Sequence, residues 1–334
     1  MLGIAQNAQL AGWTRYGTLV TEYAYFTSSG TWNSPAGLAG DITLLLVAGG
    51  GAGGGVNQGS GGGGGGVFYS TAIDALASTA YTVTIGAGGV AGSNVANFGN
   101  LQGGQTTISG TGLTYGTLTA DGGGRGTGEY SSGTNFGSQG GSGGGGCHPT
   151  DYAINNNVGV PGFGSTQSGF NVGLGGAFGN VGGYGAAFTN STETLYNLAG
   201  GGGGGAGGVG GNISSFVRTS STETITLGSG GLGLNTVPFF GNTSIGDSGF
   251  FSSGGAGGGR QFSGVTYANG SVSLGGGGQR RVYTGGETTG NSYPGGENTG
   301  GGGGGSTLIG NDANDIRGGN GGSGFVLIKY NVIS

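Results

Sequence analysis

Few residues in this chain have side chains that could do covalent or metal chemistry. Cys147 and His148 are neighbours, and each is the only residue of its type among 334. With one of each, the chain cannot supply a Cys/His triad together with a metal shell, so we interpret the pair as part of a loop. The alternative is a metal ion on a symmetry axis that binds one His148 from each subunit. We expect no catalytic residue, no cofactor and no resident metal, and we predict that the protein is not an enzyme.

Two other patterns that often mark ligand sites are weak in this chain. Residues 311–315 (NDAND) offer oxygens of the kind that Ca²⁺ accepts, but they lack the spacing and the glutamate of a calcium loop. We expect a solvated turn there. GxGxxG matches arise by chance among 98 glycines, none opens a helix as a dinucleotide site requires, and no Gly-Lys-Ser/Thr of a P-loop is present.

The composition excludes several classes of protein. The chain has 98 glycines, 8 Lys plus Arg and 13 Asp plus Glu, against usual shares of about 7% glycine and about 25% charged residues. Disorder is disfavoured because 33% of the residues are hydrophobic, with 15 Phe and 14 Tyr. Five prolines and runs of consecutive glycine exclude collagen. A net charge of −5 and a single lysine, Lys329, argue against a nucleic-acid partner.

The elements that must position any binding residues are strands and glycine blocks. Alternating or β-branched runs predict strands at 41–47, 80–85, 223–227 and 325–330, and no helix of any length is visible. The glycine blocks that alternate with these strands are 49–55, 61–66, 143–146, 200–211, 254–259, 275–278 and 300–305.

Polyglycine can form an extended left-handed helix of the polyproline II type, which has three residues per turn and no internal hydrogen bonds. Buried N–H and C=O groups of such a helix need partners, and neighbouring glycine helices can supply them because no Cβ holds the backbones apart. The predicted fold class is therefore all-β, with β-sandwich-like strands combined with packed polyglycine II helices.

The chain also contains an internal duplication. Residues 81–89 (YTVTIGAGG) match 223–231 (ETITLGSGG) at an offset of 142, and the same register aligns Phe-Gly-Asn at 98–100 with Phe-Gly-Asn at 240–242. We predict two tandem pseudo-repeats, at 41–190 and 191–334, behind an N-terminal attachment or lead-in segment at 1–40.

Several motifs together resemble a known family. Residues 26–37 (FTSSGTWNSPAG), the glycine block 49–55 and the closing segment 318–330 are similar to the glycine-rich domain of bacteriophage tail fibres and receptor-binding adhesins. That resemblance implies packed polyglycine II helices whose connecting loops contact a bacterial receptor.

The resemblance also implies a location and partners. No secretory signal is visible at the start, and the longest apolar run, 44–48, is too short to span a membrane. We expect synthesis in the host cytoplasm, a place on the virion surface and no membrane insertion. The expected partners are a host-surface glycan or outer-membrane protein, other virion proteins, and further copies of the chain, for example in a trimer.

Four segments between glycine blocks concentrate aromatic and charged residues: 125–139, 148–170, 260–267 and 279–293. Loops on a rigid scaffold often carry binding residues, and Tyr and Arg are enriched at binding hot spots. The alternative is that these side chains cap the scaffold or contact other copies, in a purely structural fibre or capsid decoration subunit. The candidate receptor-binding residues are Arg125, Tyr130, Phe136, Tyr152, Arg260, Phe262, Tyr267, Arg280, Arg281, Tyr283 and Tyr293.

Overall fold

The computed structural model describes residues 17–55, 59–92, 102–128, 137–147, 162, 164–167, 176–189, 196–219, 222–241, 244–261, 265–281, 290–309 and 316–334. Strands and one short helix occur within these ranges. Their bounds in chain order are β1 Leu19–Phe26, β2 Gly30–Asn33, β3 Leu38–Val47, β4 Val67–Ile73, β5 Ala80–Thr84, β6 Thr106–Ser109, β7 Leu118–Ala120, β8 Gly176–Phe178, β9 Ala186–Thr189, β10 Tyr196–Ala199, β11 Ser214–Thr219, β12 Thr222–Thr226, β13 Leu234–Asn235, α1 Val237–Phe240, β14 Phe250–Phe251, β15 Gly259–Gln261, β16 Val265–Ala268, β17 Gly290–Asn291, β18 Thr307–Ile309, β19 Ile316–Arg317 and β20 Phe325–Ile333.

Two antiparallel sheets pack face to face. The first has the order β1-β20-β3-β4-β8 and the second the order β2-β5-β6-β7. Between them lies a core that includes Leu44, Leu46 and Ile108, all fully buried. Trp32 stacks on Tyr81 in the same core, with ring centroids 5.3 Å apart. The aromatic residues that argued against disorder therefore fill the space between two sheets.

The central strands of the first sheet, β3 and β20, are buried on both faces over part of their length. The face of the first sheet that is turned away from the second sheet carries Leu45, Val47 and Leu327. These side chains pack with Phe251 and Phe325. Because successive side chains in a strand point to opposite faces, burial of both faces explains why residues 44–47 are apolar without alternation. The predicted strand 41–47 lies within β3.

The other strand predictions are also confirmed, with small changes at their ends. Residues 80–85 correspond to β5, 223–227 to β12, and 325–330 to β20. The one described helix, α1, has four residues and ends at Gly241 in the left-handed conformation. The protein is therefore all-β, as the sequence predicts.

The glycine blocks form a second core made of backbone. Segment 59–66 lies inside this core and is hydrogen-bonded to six other segments, with N···O distances of 2.6–3.1 Å. Three of the neighbours accept its N–H groups and three donate to its carbonyl oxygens. The accepting neighbours are 121–127, 201–204 and 300–306, and the donating neighbours are 48–54, 142–145 and 255–258.

The direction of these hydrogen bonds repeats every three residues. The N–H of Gly61 donates to Gly201, and three residues later the N–H of Gly64 donates to Gly204 of the same segment. Three residues per turn without internal hydrogen bonds is the geometry of polyproline II. Backbone hydrogen bonds thus join the glycine segments to one another. The polyglycine II conformation of each segment stays a prediction.

Both predicted pseudo-repeats contribute to this core. Segment 59–66 bonds to 121–127 from the first repeat and to 201–204 and 300–306 from the second. The predicted lead-in segment also enters the fold, because β1 pairs with the last strand, β20, over eight residue pairs. The matching strands β5 and β12 differ in their partners: β5 has antiparallel neighbours on both sides, whereas β12 pairs in parallel with β16. The domain division itself stays a prediction.

Candidate functional site

The glycine core has two ends with different surroundings. At one end, Gly66 bonds to Ala48 and Asp121, which adjoin the ends of β3 and β7. We call this the sandwich end. At the other end, Gly59 bonds to Gly258 and Ser306, while Ser60 bonds to Gly54 and Thr127; these four partners define the loop end.

The predicted binding loops begin at the loop end. Thr127 lies in the first of them, 125–139, and Gly258 comes shortly before 260–267. The loop 279–293 starts beside Thr307, next to Ser306, because the Arg280 guanidinium donates to the Thr307 hydroxyl. Cys147, just before 148–170, follows Gly146, whose carbonyl accepts from the N–H of Gly201. A core of backbone therefore gathers loops that are far apart in sequence.

The segments that carry Arg281 and Tyr293 are joined by two hydrogen bonds. The N–H of Arg281 donates to the Ser292 hydroxyl at 3.3 Å, and the N–H of Tyr293 donates to the Gln279 carbonyl at 3.0 Å. Both side chains are exposed, Tyr293 to 57%. A cation and an aromatic ring on adjacent segments can bind a polar group and an apolar face of one ligand.

Arg280 differs from its neighbour because its side chain is buried, with 6% exposure. Its guanidinium donates to the Asn269 side chain, to the Thr307 hydroxyl at 3.3 Å and to the Tyr267 carbonyl at 3.2 Å. Burial lowers its pKa to about 10, so the group stays charged at neutral pH. Arg280 thus has internal partners, and we do not include it in the proposed binding surface.

Two of the remaining described candidates, Tyr267 and Arg125, are buried or half-buried. Tyr267 is buried in a small cluster with Ile225 and Leu227. Arg125 is half-buried, and its backbone exchanges hydrogen bonds with Ser138. The backbone of Arg260 lies in β15, paired with β10 and β18. Five candidates and His148 lie outside the described residues; the five are Tyr130, Phe136, Tyr152, Phe262 and Tyr283.

The sequence analysis missed an exposed apolar strip on strand β1. Leu19, Tyr23 and Tyr25 are exposed and lie on one face of the strand, and Ile333 faces Leu19 from β20. Tyr23 and Tyr25 stack with ring centroids 6.2 Å apart. The signal was available in the sequence, because the positions of Leu19, Tyr23 and Tyr25 differ by even numbers and these residues would share one face of a strand.

The described residues contain no group of three or more His, Cys, Asp or Glu that could hold a metal ion. Cys147 is buried. No helix within the described ranges is long and apolar enough to cross a membrane.

The sandwich, the backbone core and the loops at one end define a class of all-β protein. In this class, glycine segments pack through backbone hydrogen bonds rather than through side chains. The chain belongs to the glycine-rich domain family, whose family model matches residues 26–249, more than half of the chain. No curated protein matches it.

Proposed function

We propose that this protein is a virion fibre or adhesin that recognises the surface of a bacterial host through loops displayed on the glycine core. The single observation that carries the proposal is that the predicted loops begin at one end of the core, opposite the sandwich. A rigid scaffold with grouped loops is the usual arrangement of a recognition protein. In this proposal the partner is a surface glycan or an outer-membrane protein.

Recognition needs no covalent chemistry in this proposal. Arg281 and Tyr293, exposed on adjacent segments, supply a charge-assisted hydrogen bond and an aromatic surface. The glycine core holds the ends of the loops through backbone hydrogen bonds, so exposed residues in the loops can vary without loss of the scaffold.

A second candidate function is self-assembly into a fibre or a capsid decoration. The exposed strip of Leu19, Tyr23, Tyr25 and Ile333 favours it, because exposed apolar patches often mark contacts between proteins. The low charge of the chain also favours association between copies.

One experiment separates the two functions. The purified chain is labelled and mixed with a panel of bacterial strains, and its molar mass is measured in parallel by light scattering at increasing concentration. Adsorption to some strains by a species of constant mass supports recognition. Failure to adsorb to any strain, with mass that grows with concentration, would replace the proposal by self-assembly.

A further inference from the structure

A cleft of about 260 Å³ opens at the sandwich end, beside the edge strand β7. Its buried part is formed by Phe68 and Leu118. Polar groups line the rest: Thr117, Thr119, Asp121, Thr166 and Gln167. Pockets for drug-sized molecules measure about 300–1,000 Å³, so this cleft suits a smaller ligand.

One wall of the cleft is formed by alternate residues of segment 117–121. Thr117, Thr119 and Asp121 alternate with the buried Leu118 and Ala120, and residues two apart in a strand share a face. Two hydroxyls and a carboxylate therefore line the same side of the cleft.

Another wall of the cleft is formed by Thr166 and Gln167, which are hydrogen-bonded to Asp121. The Thr166 hydroxyl donates to Asp121 Oδ2 at 3.0 Å, and the Asp121 N–H donates to Gln167 Oε1 at 2.7 Å. Gln105 Nε2 donates to Asp121 Oδ1 at 2.8 Å. Since each carboxylate oxygen can accept more than one hydrogen bond, Asp121 is oriented by the protein and still has acceptor capacity for a ligand.

Tyr115 gives the cleft an exposed aromatic ring. It lies in the turn between β6 and β7, where Gly116 adopts a left-handed conformation with φ of 69°. The turn is tied down by the Thr114 hydroxyl, which donates to Asp74 Oδ2 at 2.6 Å. The same hydrogen bond holds the pKa of the Asp74 carboxyl below its ordinary value.

The geometry points to a saccharide site in this cleft. An aromatic ring can stack on the C–H face of a sugar, while the carboxylate, hydroxyls and amide bind its hydroxyl groups. The combination of Tyr115 with Asp121, Thr119 and Thr166 matches a ligand that is apolar on one face and hydroxyl-rich at its rim. This site goes beyond the proposed function, because it lies at the sandwich end. It uses Thr166 and Gln167 from the last part of loop 148–170 and no residue of the other three predicted loops.

The test is saturation-transfer NMR on the full chain with four probes, the methyl glycosides of glucose, galactose, mannose and N-acetylglucosamine. We expect at least one to bind with a Kd in the millimolar range, about 4 kcal/mol of binding free energy. Glycerol, which has hydroxyls but no ring, is the control ligand and is expected not to bind.

Tyr115→Ala should weaken the binding about tenfold or more, and Tyr115→Trp should retain it, because Trp also offers an aromatic face. Tyr184→Ala is the matched control, since it removes an exposed tyrosine that does not line the cleft, and it should bind as the parent does. Circular dichroism verifies that each variant is folded.

Absence of binding by all four probes up to about 50 mM, or equal binding by folded Tyr115→Ala, would overturn the saccharide site. If Tyr115→Ala does not fold, Thr119→Arg is the second variant. The arginine side chain should fill the cleft and abolish saccharide binding. Unchanged binding by Thr119→Arg would also overturn the site. Cell adsorption without saccharide binding would overturn the saccharide site and leave the proposed function standing. Saccharide binding without cell adsorption would support the saccharide site and overturn the proposed function.

Discussion

At the residue scale, glycine acts here as a packing residue. A Cβ added to Gly203 would overlap the carbonyl group of Gly62, and a Cβ on Gly302 would overlap the same carbonyl from another segment. Both contacts are with backbone, which cannot rotate away as a side chain can. The absence of a side chain is therefore required at these positions by close approach.

The first prediction is that Gly203→Val is severely destabilising. Valine would push apart segments 201–204 and 59–66 and leave backbone groups unpaired, at about 1–3 kcal/mol for each buried group. The control is Gly30→Val in the exposed strand β2, where the nearest atoms to an added Cβ belong to the Phe26 ring at 3.8 Å. Thermal melts compare the two. A Gly203→Val variant with the Tm of the parent would contradict the close packing.

The second prediction concerns the two adjacent arginines. Arg280→Ala should lower the free energy of unfolding by roughly 2 kcal/mol or more, because Asn269 and Thr307 lose a buried charged donor. Arg281→Ala is the control and should change stability by less than about 0.5 kcal/mol, as exposed substitutions usually do. Urea denaturation measures both. Equal effects of the two substitutions would show that the Arg280 contacts do not stabilise the fold.

At the scale of elements, the strands and the glycine segments depend on each other. Strands β3, β4 and β7 end or begin where segments 48–54, 59–66 and 121–127 meet at the sandwich end. Ordering a residue costs on the order of 1–2 kcal/mol of backbone entropy. Glycine has no side chain whose burial could offset this cost, so the sheets that fix the ends of the glycine segments reduce it.

The third prediction is that amides of the glycine core exchange slowly with solvent. In segment 200–211, the N–H groups of Gly200 and Gly203 donate to segment 255–258, and the N–H of Gly201 donates to Gly146. Exchange of all three amides therefore requires separation from two segments. Hydrogen-exchange mass spectrometry of peptides covering 59–66 and 200–211 measures it. Exchange at the rate of an unstructured peptide would rule out the bonded core.

At the scale of the whole molecule, the two ends of the core present different surfaces. The loop end carries Arg281 and Tyr293, while strand β1, at the edge of the first sheet, carries the exposed strip with Tyr23 and Tyr25. Recognition and self-association therefore depend on separate residues. A pair of variants can test one without disturbing the other.

The fourth prediction uses that separation. The double variant Arg281→Ser with Tyr293→Ser should lose most adsorption to bacterial cells and keep its melting curve, because both side chains are exposed. The matched variant Tyr23→Ser with Tyr25→Ser should adsorb normally and should lose any self-association that the parent shows. Normal adsorption by the first variant would move recognition to other residues. Loss of adsorption by the second would place it on strand β1.

The local elements of the fold can be predicted from the amino-acid sequence alone. Alternation and β-branching predict the strands at 41–47, 80–85, 223–227 and 325–330, since side-chain period and propensity are properties of short segments. Runs of glycine likewise predict a core made of backbone, because buried N–H and C=O groups need partners and glycine alone allows backbones to touch.

The pairing of distant segments, in contrast, is visible in the tertiary structure alone. Segment 59–66 is hydrogen-bonded to six segments, and some of the bonded residues are more than 240 positions apart in the sequence. Because the glycine runs are chemically alike, their sequences do not indicate which runs pair. The same reason hid the burial of Arg280 and the cleft at Tyr115, whose walls come from β4, β7 and residues 166–167. Such sites form where segments distant in sequence come into contact, and local sequence patterns do not predict those contacts.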